Sequence, residues 1–168
     1  MLFRSHVTDP SNASRTMLYD LREGSWSPEL AAWLDVPVSI LPEIVPSSGI
    51  VGETAAWGPL APGIPLAGMA GDQQAALFGQ RCTRPGEAKN TYGTGCFLLV
   101  HAGDAPVIPG EGLLGTVAWD IDGKRSFAVE GSVFTGGAAV QWLRDGLGLI
   151  REASETEAIA RTVPDTGG

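Results

Sequence analysis

Apolar and polar positions follow one rhythm before Pro85-Gly86 and another after it. In the first half the spacing is mostly helical. Ser14 to Leu21 reads as a short helix with Met17 and Leu18 turned inward. Ser27-Pro28-Glu29 opens a second helix: a hydroxyl stands at the N-cap, a proline follows in the first turn, and Leu30, Trp33 and Leu34 share a face before Pro37 ends it. Val36 to Pro46 is an extended, proline-bearing linker, Ile50 to Thr54 a strand end or turn, and Trp57 to Pro62 a loop. Ile64 to Ala67 is then an apolar strand, followed by a helix over Gln73 to Gln80 with Ala75, Ala76, Leu77 and Phe78 as its apolar surface.

Beyond Pro85 the period shortens to that of strands. Ala88 to Tyr92 and Cys96 to Val100 pair around Gly93-Thr94-Gly95. Leu114 to Ile121 and Ser126 to Glu130 form a second hairpin across Asp122-Gly123, a dipeptide suited to a two-residue turn. A helix over Ala138 to Leu147 is entered through Gly136-Gly137, and a last one is predicted from Glu152 to Arg161. The change of rhythm is the expected domain boundary, with residues 1–84 on one side and 85–168 on the other. The fold class is α/β.

Composition narrows the function. At 168 residues, 43% hydrophobic and 18% charged, the chain has enough apolar matter for a core, and its 23 glycines and 12 prolines imply short elements and many turns. A net charge of −8 argues against a nucleic-acid partner, although backbone amides can still hold a single phosphate group locally. No apolar run reaches the length of a membrane span, and the N-terminal residues are too mixed for a secretory signal. Cys82 and Cys96 form no metal-ligand pattern; two thiols without such a signal fit a reducing cytoplasm.

The chemistry concentrates where the Ile64–Ala67 strand hands over to its helix. In Gly68-Met69-Ala70-Gly71-Asp72-Gln73-Gln74-Ala75 two glycines loosen the backbone and one carboxylate stands at the break. Such a junction puts an acid at the open end of an α/β sheet, where ligands bind and where it can serve as a base toward a hydroxyl. Local pattern equally allows Asp72 to be a helix cap. Asn90-Thr91-Tyr92-Gly93-Thr94-Gly95-Cys96 is a polar, glycine-punctuated turn whose amides and hydroxyls can cradle phosphate oxygens, or simply close a hairpin. Gly123-Lys124-Arg125-Ser126 lacks the glycine spacing of a P-loop and reads as a solvated turn.

Taken together and in this order, these segments resemble the glycerol kinases within the FGGY carbohydrate kinases, which are built on the actin-like ATPase (ribonuclease H-like) fold. Thr8-Asp9-Pro10-Ser11-Asn12-Ala13-Ser14-Arg15-Thr16, Gly71 to Gln80, Glu130-Gly131-Ser132-Val133-Phe134 and Gln141-Trp142-Leu143-Arg144-Asp145 agree as well, so the resemblance covers nearly the whole chain. It implies an internal piece of a longer enzyme: the end of the N-terminal domain, and the start of the nucleotide-side domain. The implied reaction is ATP-dependent phosphorylation of glycerol to sn-glycerol 3-phosphate, with Mg2+ required by the phosphoryl transfer itself and a homo-oligomer at full length.

The resemblance also assigns residues. Asp72 becomes the base, and Asp72, Gln73 and Phe97 the substrate contacts; Thr94, Gly137 and Gln141 become contacts to the nucleotide. Without it, Phe97 is a core filler and Gly136-Gly137 a flexible helix entry. The Thr8–Thr16 segment is expected to shape the cleft floor, with Asn12 or Ser14 capping a helix and Arg15 pairing with a carboxylate. The family's first phosphate hairpin, its other glycerol contacts and its adenine loop have no counterpart within these residues. Its bacterial members bind fructose 1,6-bisphosphate through an arginine, where Leu60-Ala61-Pro62-Gly63 has no cation, so that regulation is not expected. Two alternatives stay open: a kinase for another polyol or ketose, and an inactive or binding-only piece.

Overall fold

Asp9, and not a residue near Ser14, opens the first helix in the computed structural model, which describes residues 5–56 and 58–165. Helix α1 is Pro10–Ala13. The Asp9 carboxylate accepts from the amides of Ser11 and Asn12, each at 3.1 Å, and proline sits in the first turn where its missing N–H costs nothing. The helix expected over Ser14–Leu21 does not form. The Ser14 hydroxyl donates to the Ser11 carbonyl (3.1 Å) and the Thr16 hydroxyl to that of Ala13 (2.7 Å), so the polar side chains compete with continued helix. Met17 takes φ +62° and is 75% exposed, while Leu18 is buried. Strand β1 (Val7–Thr8) precedes α1; β2 (Tyr19–Asp20) and β3 (Ser25–Trp26) follow as an antiparallel pair.

Helix α2 (Pro28–Trp33) starts as the sequence predicts, with the Leu30 amide donating to the Ser27 hydroxyl at 3.2 Å. Its expected apolar face is not inward: Ala31 is its buried residue, and Trp33 and Leu34 are exposed. The linker after it is more structured than expected, because a 3-10 turn over Val38–Ile40 leads into β4 (Glu43–Ile44), which pairs in parallel with β1. Strands β5 (Ser48–Glu53) and β6 (Pro65–Gly68) are antiparallel partners on either side of the predicted loop, of which Trp57 lies outside the described residues. Helix α3 is Asp72–Gly79.

A four-stranded sheet follows, ordered β7-β8-β10-β9, with β7 at Ala88–Tyr92, β8 at Cys96–Gly103, β9 at Leu113–Ile121 and β10 at Lys124–Val133. The β9–β10 hairpin turns at Asp122-Gly123 with φ of +52° and +72°, the left-handed pair that such a two-residue turn requires. Arg125 is not a solvated turn residue: its guanidinium donates twice to Asp120 at 3.1 and 2.9 Å. Helix α4 (Gly137–Gln141) runs into a π-helical turn over Trp142–Gly146, and α5 is Glu155–Ala160.

The described residues fall into two compact units. One comprises the residues up to Lys89 together with Leu99–Gly131; the other comprises Asn90–Leu98 and the residues from Ser132 onward. The core of the first unit has two parts. Leu77, Cys82, Leu99, Ala118 and Ala128 pack under Trp119, and Ala13, Tyr19, Val117 and Phe127 pack with Trp26 and Ile44. Cys82 is therefore a small core residue. No helix among the described residues is long and apolar enough to cross a membrane.

Candidate functional site

In the first unit a buried polar lattice holds the loop that presents Asp72. Asp9 is fully buried and, besides capping α1, accepts from the Asn12 amide side chain at 2.7 Å and from the Ser47 hydroxyl at 2.7 Å. Ser47 Oγ in turn accepts from the Asp120 amide (3.0 Å), and its carbonyl from the Met69 amide (3.0 Å). Ser11 Oγ accepts from the Gly71 amide at 2.9 Å. Gln74 Nε2 donates to Thr116 Oγ1 at 3.0 Å, and that oxygen is 2.9 Å from Ser14 Oγ. Each of these groups is satisfied inside the fold, so the lattice fixes the strand-to-helix turn from beneath. A Cβ at Gly71 would stand 2.5 Å from Gln74 Oε1, which explains a glycine beside the buried glutamine.

On that support Asp72 is the first helical residue of α3, and Gly71 occupies the N-cap position without a side-chain cap. The capping reading of Asp72 is thus replaced by a different local role. Its carboxylate is exposed; Oδ1 accepts from the Gln73 amide at 2.8 Å and Oδ2 from Gln73 Nε2 at 3.3 Å. Gln73 Oε1 accepts from Lys89 Nζ. Lys89 is only 6% exposed, and burial holds its ammonium below the usual lysine range against the opposing pull of Glu130 and Asp72. Arg15 completes the group, with Nη2 2.8 Å from Oε1 of the buried Glu130, as the sequence leads one to expect of an arginine needing a carboxylate. Asn12 turns its amide onto the cap residue Asp9, and Ser14 bonds Thr116.

The second unit gathers Thr94, Gly137 and Gln141. The Thr94 carbonyl accepts from the amides of Gly136 (2.9 Å) and Ala138 (3.1 Å), and the Gly93 carbonyl from that of Gly137 (2.8 Å). The threonine turn is therefore bound by backbone to the entry of α4. A Cβ at Gly137 would lie 2.6 Å from the Gly93 oxygen, and one at Gly136 2.6 Å from Cys96 Sγ. Both positions need glycine for this docking alone, whatever binds above it. Gln141 follows one helical turn later and, with Gly137, Val140, Arg144, Ala153 and Thr156, lines an open cavity of about 440 Å3. Arg144 there donates to Asp145 at 2.7 and 2.9 Å. Phe97 is half-buried and meets Phe134 edge to face, with centroids 6.4 Å apart.

Sequence reasoning passes over Lys89, Ser11, Ser47 and Thr116. For Lys89 a signal exists: the two-residue period of β7 puts it on the inward side, where a lysine is rare without a partner. The two serines and the threonine carry no such mark. No group of three or more His, Cys, Asp or Glu among the described residues is arranged to hold a metal ion.

Comparison with known proteins gives this geometry a context. The sequence matches the N-terminal domain of the FGGY family of carbohydrate kinases over residues 1–79 and the C-terminal domain of the same family over residues 88–166. It is 59% identical over 165 residues to a glycerol kinase of Alkalilimnicola ehrlichii, covering 98% of this chain and 33% of that protein. It is 58% identical over 163 residues to a glycerol kinase of Trichlorobacter lovleyi, covering 97% of this chain and 33% of that protein. The crystal structure of Plasmodium falciparum glycerol kinase with ADP superposes with a TM-score of 0.84 at 36% identity, over 95% of this chain and 32% of the other. A gluconate kinase from Lactobacillus acidophilus, at 21% identity, shares the fold with a TM-score of 0.82 over 97% of this chain and 33% of its own. The mixed α/β arrangement is thus part of the actin-like ATPase fold of the sugar kinases. The chain spans about a third of the length of the curated relatives it matches.

Proposed function

Because the chain belongs to the FGGY family of carbohydrate kinases, we propose that it contributes the acceptor base and a nucleotide-side turn to a glycerol kinase, with the family's two domains meeting near Pro85. The reaction is transfer of the γ-phosphoryl group of ATP to a primary hydroxyl of glycerol, giving sn-glycerol 3-phosphate. The transfer calls for Mg2+, which when bound would supply neutralisation of the charge developing on the phosphoryl oxygens.

Asp72 orients the attacking hydroxyl and takes its proton as the new O–P bond forms. A loose transition state asks little of the base until late, so an exposed carboxylate at the head of a helix suffices. Gln73 donates to a hydroxyl of glycerol, and Phe97 covers the carbon skeleton. Thr94 reaches the terminal phosphates from a turn that its backbone ties to α4, while Gly137 and Gln141 take the nucleotide against the face of that helix. The observation that carries the reading is Asp72 itself: an exposed carboxylate on a turn held from beneath by the buried Asp9, Ser11, Ser47, Gln74 and Thr116, in a chain 59% identical to a glycerol kinase.

The test uses a full-length relative in which this chain replaces the matching third. Asp72→Asn should lower kcat about 10²- to 10⁴-fold with the fold intact. Near-normal turnover of the Asn variant would end the assignment, and a panel of polyols and ketoses fixes the acceptor.

A further inference from the structure

We propose that Lys89 is a positioning residue that sets the polarity of the Gln73 amide, so that the acceptor site presents one N–H donor beside the Asp72 carboxylate. The inference rests on the glycerol reading above. It is carried by contacts within the first unit, where Lys89 Nζ donates to Gln73 Oε1 and Gln73 Nε2 lies 3.3 Å from Asp72 Oδ2.

A glutamine side chain can turn its oxygen or its nitrogen toward a neighbour, and nothing in its shape prefers one. An ammonium has donors only, so beside Lys89 the oxygen must face the lysine. The NH2 is then forced to the other side. One of its hydrogens points to Asp72 and the second is left for substrate. The result is a coded pair: Gln73 donates and Asp72 accepts. A polyol with neighbouring hydroxyls matches it, one oxygen accepting from Gln73 while the other hydroxyl gives its proton to Asp72.

Lys89 has little freedom to do otherwise. It is 6% exposed on β7; burial lowers its pKa, and the carboxylates of Glu130 and Asp72 act against that shift. Glu130 is held in turn by Arg15 at 2.8 Å. The series Arg15, Glu130, Lys89, Asp72 alternates in sign, which keeps a buried ammonium tolerable next to the site.

The experiment is a double-mutant cycle in the same full-length host. Lys89→Met should raise KM for glycerol roughly tenfold, the loss of one well-placed hydrogen bond, with kcat much less affected. Gln73→Ala should raise KM to a similar degree, and in the double variant Lys89→Met should add nothing further, because there is no amide left to orient. Lys89→Arg keeps the donors and should restore most of the affinity. Additive costs in the double variant, or an unchanged KM in Lys89→Met, overturn the proposal. A second measurement does not depend on activity. In the same host the side-chain NH2 resonances of Gln73 should move on Lys89→Met and return toward their place on Lys89→Arg; resonances that stay put overturn it equally. If the unmodified host turns over ATP without any dependence on glycerol while the Gln73 resonances still respond to Lys89, the glycerol reading fails and the coupling stands.

Discussion

His101 shows how much one buried side chain can dictate. It is 3% exposed on β8, its ring lies on Trp119 with centroids 5.1 Å apart, and neither ring nitrogen has a hydrogen-bond partner among the described residues. Burial holds its pKa below the ordinary histidine value, more than Asp104 and Glu87 raise it. The unfolded chain therefore binds the proton more readily than the folded one. That makes stability full above the unfolded value of about 6.5, and lost progressively as pH falls below it. Urea midpoints of the chain should drop between about pH 7 and pH 5.5, and His101→Gln should flatten that part of the profile. An identical slope in the variant would show that other groups carry it. Legibility at this scale is uneven for the same physical reason. Asp72 is conspicuous in the sequence because Gly68 and Gly71 precede it at a strand-to-helix break. Lys89 is not, because its meaning comes from Gln73, 16 residues away in sequence and adjacent only once β7 has folded.

Elements were readable where the chain carries its own punctuation. Ser27-Pro28 marks the start of α2, and Asp122-Gly123 marks the turn between β9 and β10. Asp9-Pro10 is the same kind of signal as Ser27-Pro28, yet the apolar pair Met17-Leu18 suggests a helix after it, where the Ser14 and Thr16 hydroxyls compete for the backbone and leave Met17 in a bend just before the short β2–β3 pair. The position of β10 between β8 and β9 is not local information at all. Where two elements dock by backbone, one methyl group is decisive. Gly137 approaches the Gly93 oxygen so closely that an added Cβ would stand 2.6 Å from it, and neither partner is the free end of a flexible side chain. Gly137→Ala should therefore cost about 1–3 kcal/mol of overpacking strain in the second unit and loosen the threonine turn. Hydrogen exchange at the Gly136, Gly137 and Ala138 amides would report it as faster opening. Unchanged protection there would mean the turn shifts without strain, and the nucleotide would then be the better reason for the glycine.

At the scale of the whole molecule, apolar side chains stand in water that a self-sufficient domain would cover. Tyr92, Phe134, Trp142 and Leu149 in the second unit and Trp33 and Ile50 in the first are each more than half exposed. Scattered apolar residues are ordinary on a surface, but large aromatics at this exposure mark faces that other protein normally covers. The relatives are about three times as long as this chain. The fold class was legible because the motif order is present along the chain; the covered faces were not, since exposure depends on what surrounds a residue and not on its own type. Two outcomes follow for the 168 residues in isolation. Apolar dyes should bind and the chain should associate as concentration rises, read by fluorescence and by sedimentation. Purified alone, it should show no glycerol-dependent ATP turnover, because on the proposed reading Asp72 and the Thr94 turn act together with residues that the longer relatives carry beyond the matched third. A dye-silent monomer with measurable kinase activity would contradict both, and would mean that these residues make a complete site by themselves.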